Sequence, residues 1–491
     1  MFTRRRPRTY AWIRVAPVAT RRRLTSDRIV EPWAEGISEL MAANALPIVA
    51  PDRFSFADAL EQQGVPASEK SPEEELIELL QEAADIEHGL MLQYLYAVYS
   101  LKELMIQGTV RTIAIEEMGH FVTVQNLLVA CGAEPSLGNS DWDVPNVFHP
   151  FPFKLEPASV GSIAKYTIAE MPDRGSVPDD IKADLDQIIN DGDTAAGSPV
   201  EPHRVGLLYT KIYWLLRPDD HPLPDPTQEP WRGFPVAAMA ATPELAGRHV
   251  RDGFVRDSRD VNAQPEQWRG NYTSVIVAPI SGRDSALLAI AHVTAQGEGY
   301  VDAAQSHFHR FVESWRLAKK TSDLALPAAI NPGYATAGAS PISGDEITSA
   351  VGRQLAALGD GLYELVLLCT AVNLLLPAGT APEDRTTAAQ TAVTVMRECL
   401  GRIARVLSAI PLTDDGANSK VCGLPFVVSP LDVDAKLKPV VDRAKDVING
   451  LKAVATALDQ GNAGQAVKLA AEDVAGTIDD TIVPWLTSLP V

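Results

Sequence analysis

The chain has 491 residues, with 63 acidic and 43 basic side chains and a formal net charge of −20. At roughly 150 residues per domain, this length accommodates about two to four domains. Hydrophobic residues make up 46% and charged residues 22%, ordinary globular values that exclude a disordered chain. The acid excess argues against a nucleic-acid partner, because contacts to phosphates require a basic surface.

The N-terminal segment departs from this acidity. The first 23 residues contain eight arginines and no acidic residue. Because arginines interrupt every apolar run, the segment lacks the apolar stretch of a secretory signal. We interpret it as a solvated tail. A targeting peptide, a basic arm for an anionic partner and a start codon placed too early are the alternatives.

Compartment and membrane association also follow from composition. No window reaches the ~18 uninterrupted apolar residues that a membrane span requires, so we predict no span. The four cysteines are scattered and contain no Cys-x-x-Cys pair. This spacing predicts buried single thiols in a reducing, cytoplasmic location.

The first predicted helix begins after an irregular stretch, residues 24–70. Ser71 caps the first free amides, Pro72 occupies the first turn, and the acids that follow face the positive end of the helix dipole. This helix extends to about Met105. A second helix covers about 110–131 and ends at Gly132. Further helices are predicted at about 159–171, 202–216, 284–300 and 304–320, separated by a structured loop (136–157) and a proline-rich excursion (217–283).

The C-terminal third has a different pattern. Residues 321–343 are rich in Pro, Ala, Gly and Ser, which predicts a linker. Four amphipathic segments beyond it, about 344–376, 383–410, 432–458 and 463–482, predict a second helical bundle. The predicted fold is therefore all-α, with four parts: an arm and irregular segment (1–70), an antiparallel helical bundle with long loop excursions (71–320), a linker (321–343) and a C-terminal helical bundle (344–491).

Acidic and histidine side chains interrupt the apolar faces of the first two helices. In the first helix, Glu87 follows Leu80 and Ala83 on one face. In the second helix, Glu117 and His120 occupy successive positions of the apolar face, one turn apart. A buried, unpaired carboxylate is expensive, so these groups are expected to be paired, protonated or bound to metal.

Three such groups on neighbouring helices suit a carboxylate-rich dinuclear metal site. The alternative is a buried hydrogen-bond network in which His120 bonds a neighbour and Glu117 faces solvent. Nucleotide and serine-hydrolase chemistry are disfavoured, because the chain has neither a glycine-rich phosphate loop nor a Gly-x-Ser-x-Gly elbow.

Later residues could complete the ligand set. Glu298 continues an inward face formed by Leu287, Ala291 and Thr294, and His307 follows nine residues later. In a straight helix these two residues lie on opposite faces, so they share a site only if the chain bends near the glycine at position 299.

Two residues elsewhere are more ambiguous. Glu170, at the end of a short helix, is either a ligand or a surface acid. For His203 we favour packing over ligation.

The same residues carry a family resemblance. The stretches Ile86–Met91, Gln93–Ala97, Ile115–His120 and Gln125–Leu128 resemble the ferritin-like domain of the iminophenyl-pyruvate dimer synthase family, which serves violacein- and rebeccamycin-type biosynthesis. The blocks Ala169–Pro172, Gln296–Gly299 and Ser306–Phe308 extend the resemblance in the expected order. It covers roughly residues 71–320, with specific motifs early and weaker ones later.

The resemblance implies a ferritin-like bundle, a metal pair and oxidative chemistry in specialised metabolism. Glu87, Glu117, His120, Glu298 and His307 match the family's acidic and histidine positions. Leu207 departs from the family, which tends to have a glutamate at that position. If that glutamate is a ligand, either this site has one carboxylate fewer or Glu170 or His203 takes its place.

Two hypotheses about function follow. The first is a metal-dependent oxidoreductase that uses dioxygen or peroxide on a small organic, amino-acid-derived substrate. Two iron ions are favoured, manganese is an alternative, and haem stays open because one buried histidine suffices as an axial ligand. The second is a non-catalytic metal-binding or assembly protein. The sequence leaves open whether the chain forms a homo-oligomer.

Overall fold

The fold is known from a computed structural model. It describes residues 11–14, 64–138, 150–172, 177–196, 205–218, 220–224, 239–240, 242–270, 272–297, 306–335, 344–415, 418–428, 436–461 and 463–489. The described residues are mostly helical, which confirms the predicted all-α class. One antiparallel pair of short strands, β1 (Ala11–Arg14) and β2 (Gly64–Ala67), is the exception. The prediction of irregular structure is therefore wrong for β2. The remainder of the arginine-rich arm lies outside the described residues.

Helix α1 (Pro72–Ser100) begins as predicted. The Ser71 hydroxyl accepts a hydrogen bond from the Glu74 amide, and the Glu74 carboxylate accepts one from the Ser71 amide. This reciprocal cap satisfies two backbone donors at the helix start. The helix ends five residues before the predicted limit, since Leu101 is extended and bridges Ala325.

Helix α2 (Leu104–Ala130) follows after only three residues, and such a short connection makes the two helices antiparallel neighbours. The Glu103 side chain caps α2 by accepting from the Ile106 amide. The second helix therefore starts about two turns earlier than the sequence pattern predicts.

Six further helices complete the N-terminal part. They are α3 (Val160–Ala169), α4 (Asp179–Ala196), α5 (Val205–Leu216), the short α6 (Pro265–Trp268), α7 (Arg283–Gly297) and α8 (His307–Ala318). Helix α4 is absent from the sequence prediction. The described part of the 217–283 excursion holds only short elements, as predicted: α6, one 3-10 turn at Pro243–Leu245 and the helical residues 239–240.

The C-terminal part is helical where the amphipathic segments predicted it. It contains α9 (Ala350–Leu375), α10 (Pro382–Thr394), α11 (Gly401–Leu407), α12 (Leu437–Gln460), α13 (Gln465–Thr477) and α14 (Val483–Ser488). Wider π turns join α10 to α11 and α13 to α14. Within the described chain, α9 is the one helix long and apolar enough to cross a membrane, and 89% of its most apolar window is buried. Such burial is that of a core helix.

The helices pack around the first antiparallel pair. Helix α1 contacts α2 and α5, α5 contacts α7, and α8 contacts both α2 and α3. The C-terminal helices cover another face of this pair, where the His88 imidazole hydrogen-bonds the Tyr363 hydroxyl across the interface. A single hydrophobic cluster extends from α1 to α14. The division into two bundles stays a prediction.

The segment predicted as a linker is described from 321 to 335. Ala328 and Ala329 are buried, and Ala328 forms a backbone bridge with Val421. The Asn331 side chain accepts a hydrogen bond from the Leu155 amide. This part of the segment is therefore packed against both helical regions.

Candidate metal centre

The first half of the centre lies between α1 and α2. Glu87, Glu117 and His120 are each at most 2% exposed. His120 Nδ1 lies 2.9 Å from one oxygen of Glu117 and 3.5 Å from one oxygen of Glu87. Because Glu117 and His120 are one turn apart on α2, the helix itself sets their spacing. These three residues form the first triad.

The second half forms around the other oxygen of Glu117. His307 Nδ1, at the first position of α8, lies 2.8 Å from Glu117 Oε1 and 3.6 Å from Glu170 Oε2. Glu170 follows the last residue of α3 and is 5% exposed, while His307 is fully buried. Glu117, Glu170 and His307 form the second triad. In each triad the potential ligand atoms all lie within 4.8 Å of one another.

Glu117 is the residue that the two triads share. Its two carboxylate oxygens point to different imidazoles, Oε2 to His120 and Oε1 to His307. The two imidazole rings are stacked with 5.5 Å between their centroids. A carboxylate in this position has the geometry to bridge two metal ions.

Buried tyrosines hold the two outer carboxylates. The Tyr209 hydroxyl on α5 donates to Glu87 Oε1, and the Tyr94 hydroxyl on α1 donates to Glu170 Oε1 over 2.7 Å. A Cβ at Gly297, the last residue of α7, would lie 3.0 Å from Glu170 Oε2. This position therefore favours glycine, because a side chain would crowd the carboxylate.

The outer nitrogens of both histidines have hydrogen-bond partners of their own. His120 Nε2 lies 2.9 Å from Gln296 Oε1, and His307 Nε2 lies 3.1 Å from Glu116 Oε2. Both partners are acceptors, so each Nε2 carries a proton, and each Nδ1 faces the carboxylates. Outer partners of this kind fix the tautomer and orientation of metal-binding histidines.

Burial and like charges perturb the titration of the cluster. Burial, together with the charge of Glu117, raises the pKa of Glu87 to about 7. Burial disfavours the imidazolium of His120, yet the carboxylates of Glu117 and Glu87 raise its pKa to about 10. The pKa of His307 is likewise held well above its ordinary value, against burial, by the carboxylates of Glu117, Glu116 and Glu170.

The donor set fits a metal site. Glu87 Oε2, Glu117 Oε1 and His307 Nδ1 are buried without a hydrogen bond of acceptable geometry. Buried polar atoms normally have hydrogen-bond partners, and exceptions call for a cause such as an ion. Carboxylate and imidazole donors that converge from four helical segments are the ligands that iron, manganese and zinc accept. The raised pKa values of His120 and His307 mean that protonated imidazoles would balance the carboxylate charge whenever no cation is bound.

The structure brings together five of the six residues that the sequence singled out: Glu87, Glu117, His120, Glu170 and His307. Glu298 lies outside the described residues, as does His203. The ligand role of Glu298 and the packing role favoured for His203 stay predictions. The alternative in which Glu117 faces solvent is wrong, because Glu117 is 1% exposed, and a surface location for Glu170 is wrong for the same reason of burial.

Sequence reasoning missed the residues that support the five described ones. Tyr209 and Gln296 belong to predicted helices but carry no metal-ligand signal of their own. Glu116 directly precedes Glu117, and its pairing with Arg310 on α8 depends on tertiary packing. Leu207 on α5 is buried, and Glu170 is the carboxylate that reaches the second triad.

The helical bundle and the buried carboxylate–histidine cluster are features of ferritin-like proteins. Residues 80–230 match the family model described as ferritin-like, so the chain contains a ferritin-like domain. The match includes Glu87, Glu117, His120 and Glu170.

Two curated proteins are related to the chain at low identity. Dichlorochromopyrrolate synthase of Lentzea aerocolonigenes is 24% identical over 438 residues, covering 79% of this chain and 38% of that protein. The 2-imino-3-(indol-3-yl)propanoate dimerase of Chromobacterium violaceum is 25% identical over 390 residues, which cover 71% of this chain and 33% of that protein. This homology confirms the resemblance to the iminophenyl-pyruvate dimer synthase family. The chain spans between a third and two fifths of the length of these relatives. No solved structure matches the chain significantly.

Proposed function

We propose that the protein is a metal-dependent oxidoreductase with a pair of iron ions, which uses dioxygen or peroxide to oxidise a small amino-acid-derived substrate. The observation that carries the proposal is the pair of buried triads that share Glu117. Three carboxylates and two imidazoles balance most of the charge of two divalent ions, and helical bundles build dinuclear sites from this donor set.

Each triad would hold one ion. Glu87 and His120 would bind one position, Glu170 and His307 the other, and Glu117 would bridge them. Bound iron would supply the electron-transfer chemistry, while the protein supplies the orientation of the ligands and their burial. Tyr209 and Tyr94 hold the outer carboxylates in place by hydrogen bonds. At the same time, burial of all five ligand residues excludes bulk water.

The relatives support the class of substrate. One relative is named as a synthase of dichlorochromopyrrolate. The other is named as a dimerase of 2-imino-3-(indol-3-yl)propanoate, an imine related to an aromatic amino acid. We propose an amino-acid-derived imine for this chain. Oxidative coupling of two such molecules removes two electrons and two protons, and reduction of dioxygen to hydrogen peroxide consumes them. Four buried cysteines without disulfides fit our proposal of a cytoplasmic location.

Metal content tests the first step of the proposal. Protein purified without added metal is analysed for iron, manganese, zinc and haem, the last by its visible spectrum. It is then loaded anaerobically with ferrous iron. We expect about two ions per chain in the parent protein and a loss of at least one in Glu117→Ala, because that change removes a ligand from both positions. The matched control is Glu134→Ala, an exposed acid just beyond α2 that should keep full stoichiometry.

Oxygen consumption tests the second step. Iron-loaded protein is mixed with dioxygen or peroxide and a panel of imines generated from aromatic amino acids, with product analysis by mass. Consumption of dioxygen that depends on substrate and is lost in Glu117→Ala supports the proposal. Stoichiometric iron without any reaction across the panel overturns the oxidoreductase and favours a non-catalytic metal-binding protein.

A further inference from the structure

The two histidines of the centre differ in what their outer nitrogens contact. His120 faces the side-chain amide of Gln296, a neutral acceptor, over 2.9 Å. His307 faces the carboxylate of Glu116, an anionic acceptor, over 3.1 Å. Arg310 on α8 pairs with the same Glu116 oxygen and is partly exposed, with 16% of its side chain accessible.

The orientation of the Gln296 amide is fixed by a second contact. Its Nε2 donates to the Ser274 carbonyl oxygen over 2.8 Å, so its Oε1 must be the atom that faces His120. The amide group therefore accepts from the imidazole and cannot donate to it. One histidine therefore has a neutral acceptor and the other an anionic acceptor. This difference follows from the residue types and does not depend on which amide atom is taken as oxygen.

The rest of the two triads is closely matched. Each has one outer carboxylate that accepts a hydrogen bond from a buried tyrosine hydroxyl, Tyr209 for Glu87 and Tyr94 for Glu170. Both share the remaining carboxylate, Glu117. The partner of the histidine is therefore the main chemical difference between the two positions.

We propose that the two metal positions are unequal, with the His307 position the tighter one, and that Glu116 and Gln296 are the positioning residues that set the difference. The proposal rests on the two-metal centre of the proposed function. An anionic acceptor on Nε2–H makes Nδ1 a better electron donor than a neutral amide does. Outer partners of metal-binding histidines are typically worth about 10–100-fold in affinity. Arg310 pairs with the same Glu116 oxygen, and its positive charge partly offsets the negative charge of that acceptor. Arg310 therefore limits the effect of Glu116 on His307.

Single-position variants separate the two sites. His120→Ala keeps the His307 position, and His307→Ala keeps the His120 position. Each is titrated anaerobically with cobalt(II) against a competing chelator, with the cobalt visible spectrum as the second readout. We expect His120→Ala to bind one cobalt ion with an affinity at least about 10-fold higher than that of His307→Ala. Equal affinities, or the reverse order, overturn the proposal.

Exchanging the outer partners tests the cause. Glu116→Gln keeps the acceptor but removes its charge, so in the His120→Ala background cobalt affinity should fall about 10-fold or more. Gln296→Glu in the His307→Ala background should raise it. In each case helicity and the far-ultraviolet spectrum should match the parent variant.

Arg310 distinguishes an electronic role of Glu116 from a merely structural one. If Glu116 acts through its charge, Arg310→Met should strengthen cobalt binding at the His307 position, opposite in direction to Glu116→Gln. If Glu116 only fixes the ring, both variants should weaken binding, and the assignment of its role is overturned. A parent protein that binds no cobalt overturns the proposed function itself. Two ions bound with equal affinity overturn the inequality alone.

Discussion

Protons should compete with metal at this centre, and the competition can be measured. His120 Nδ1 lies 2.9 Å from Glu117 and 3.5 Å from Glu87, and these carboxylates raise the pKa of His120 to about 10. The imidazole is therefore protonated at neutral pH. Since Nδ1 is the nitrogen that faces the carboxylates, an ion that binds there must displace its proton.

The expected magnitude follows from the number of protons displaced. Because the raised pKa lies above the accessible range, the histidine stays protonated between about pH 6.5 and pH 8.5. One proton released per ion makes the apparent affinity rise about tenfold per pH unit, or about a hundredfold over that range, equivalent to about 2.7 kcal/mol. The sign is fixed: a raised pKa favours the protonated form, so lowering the pH weakens metal binding. Protonation of Glu87, with a pKa of about 7, steepens the dependence at the acidic end.

Two assays measure this competition. Cobalt(II) affinity is determined against a chelator at three pH values, and calorimetry in buffers of different ionisation enthalpy counts the protons released. His292→Asn is the control, because His292 is an exposed imidazole on α7 and its loss should leave both results unchanged. An affinity independent of pH, or binding without proton release, would refute the argument, because the metal ion would then not displace a proton from His120 Nδ1.

Three further predictions concern single side chains. Gly297→Ala places a Cβ 3.0 Å from Glu170 Oε2, so we expect weaker cobalt binding at the second triad, measured in the titration above, with little change in Tm. Tyr209→Phe removes the donor to Glu87 and should weaken the first triad while sparing the second; equal weakening of both would contradict it. Asp360→Asn should raise Tm, because burial raises the pKa of Asp360 to about 8. The protonated Asp360 carboxyl makes its full stabilising contribution below the unfolded pKa near 3.8, and this contribution is lost as the pH rises through the folded pKa of about 8. The advantage of the variant should therefore grow across that window and level off above it, and a pH-independent difference would refute it.

The ligand residues on α1 and α2 could be predicted from the sequence because both helices are long and regular. A carboxylate in an apolar face is visible at the spacing of 3.6 residues per turn, and Glu87, Glu117 and His120 all stand there. Helix ends were less predictable. The stop of α1 at Ser100 depends on the bridge from Leu101 to Ala325, which is a contact far away in the chain.

The remainder of the site depends on tertiary contacts. Glu170 follows the end of a short helix, where periodicity assigns no face, and its burial results from packing against α1 and α7. Helix α4 is absent from the sequence prediction although Ile181, Leu185 and Ile188 are buried at helical spacing and acidic residues occupy the other face. Its amphipathic pattern was available in the sequence. The hydrogen bonds that Gln296 and Glu116 accept from His120 and His307 join residues 176 and 191 positions apart, and local sequence gives no signal for such pairs.

The sharing of Glu117 also has a consequence for how such a centre can change over time. In the proposed two-metal centre, a substitution at any of the four outer ligands would alter one position and leave the ligands of the other in place. A substitution at Glu117 alters both at once, since each of its oxygens serves a different position. If two ions bind as proposed, gradual divergence towards a single-metal protein would be open through Glu87, His120, Glu170 or His307. Through Glu117, a single substitution would weaken both proposed positions together, even where one ion is still bound.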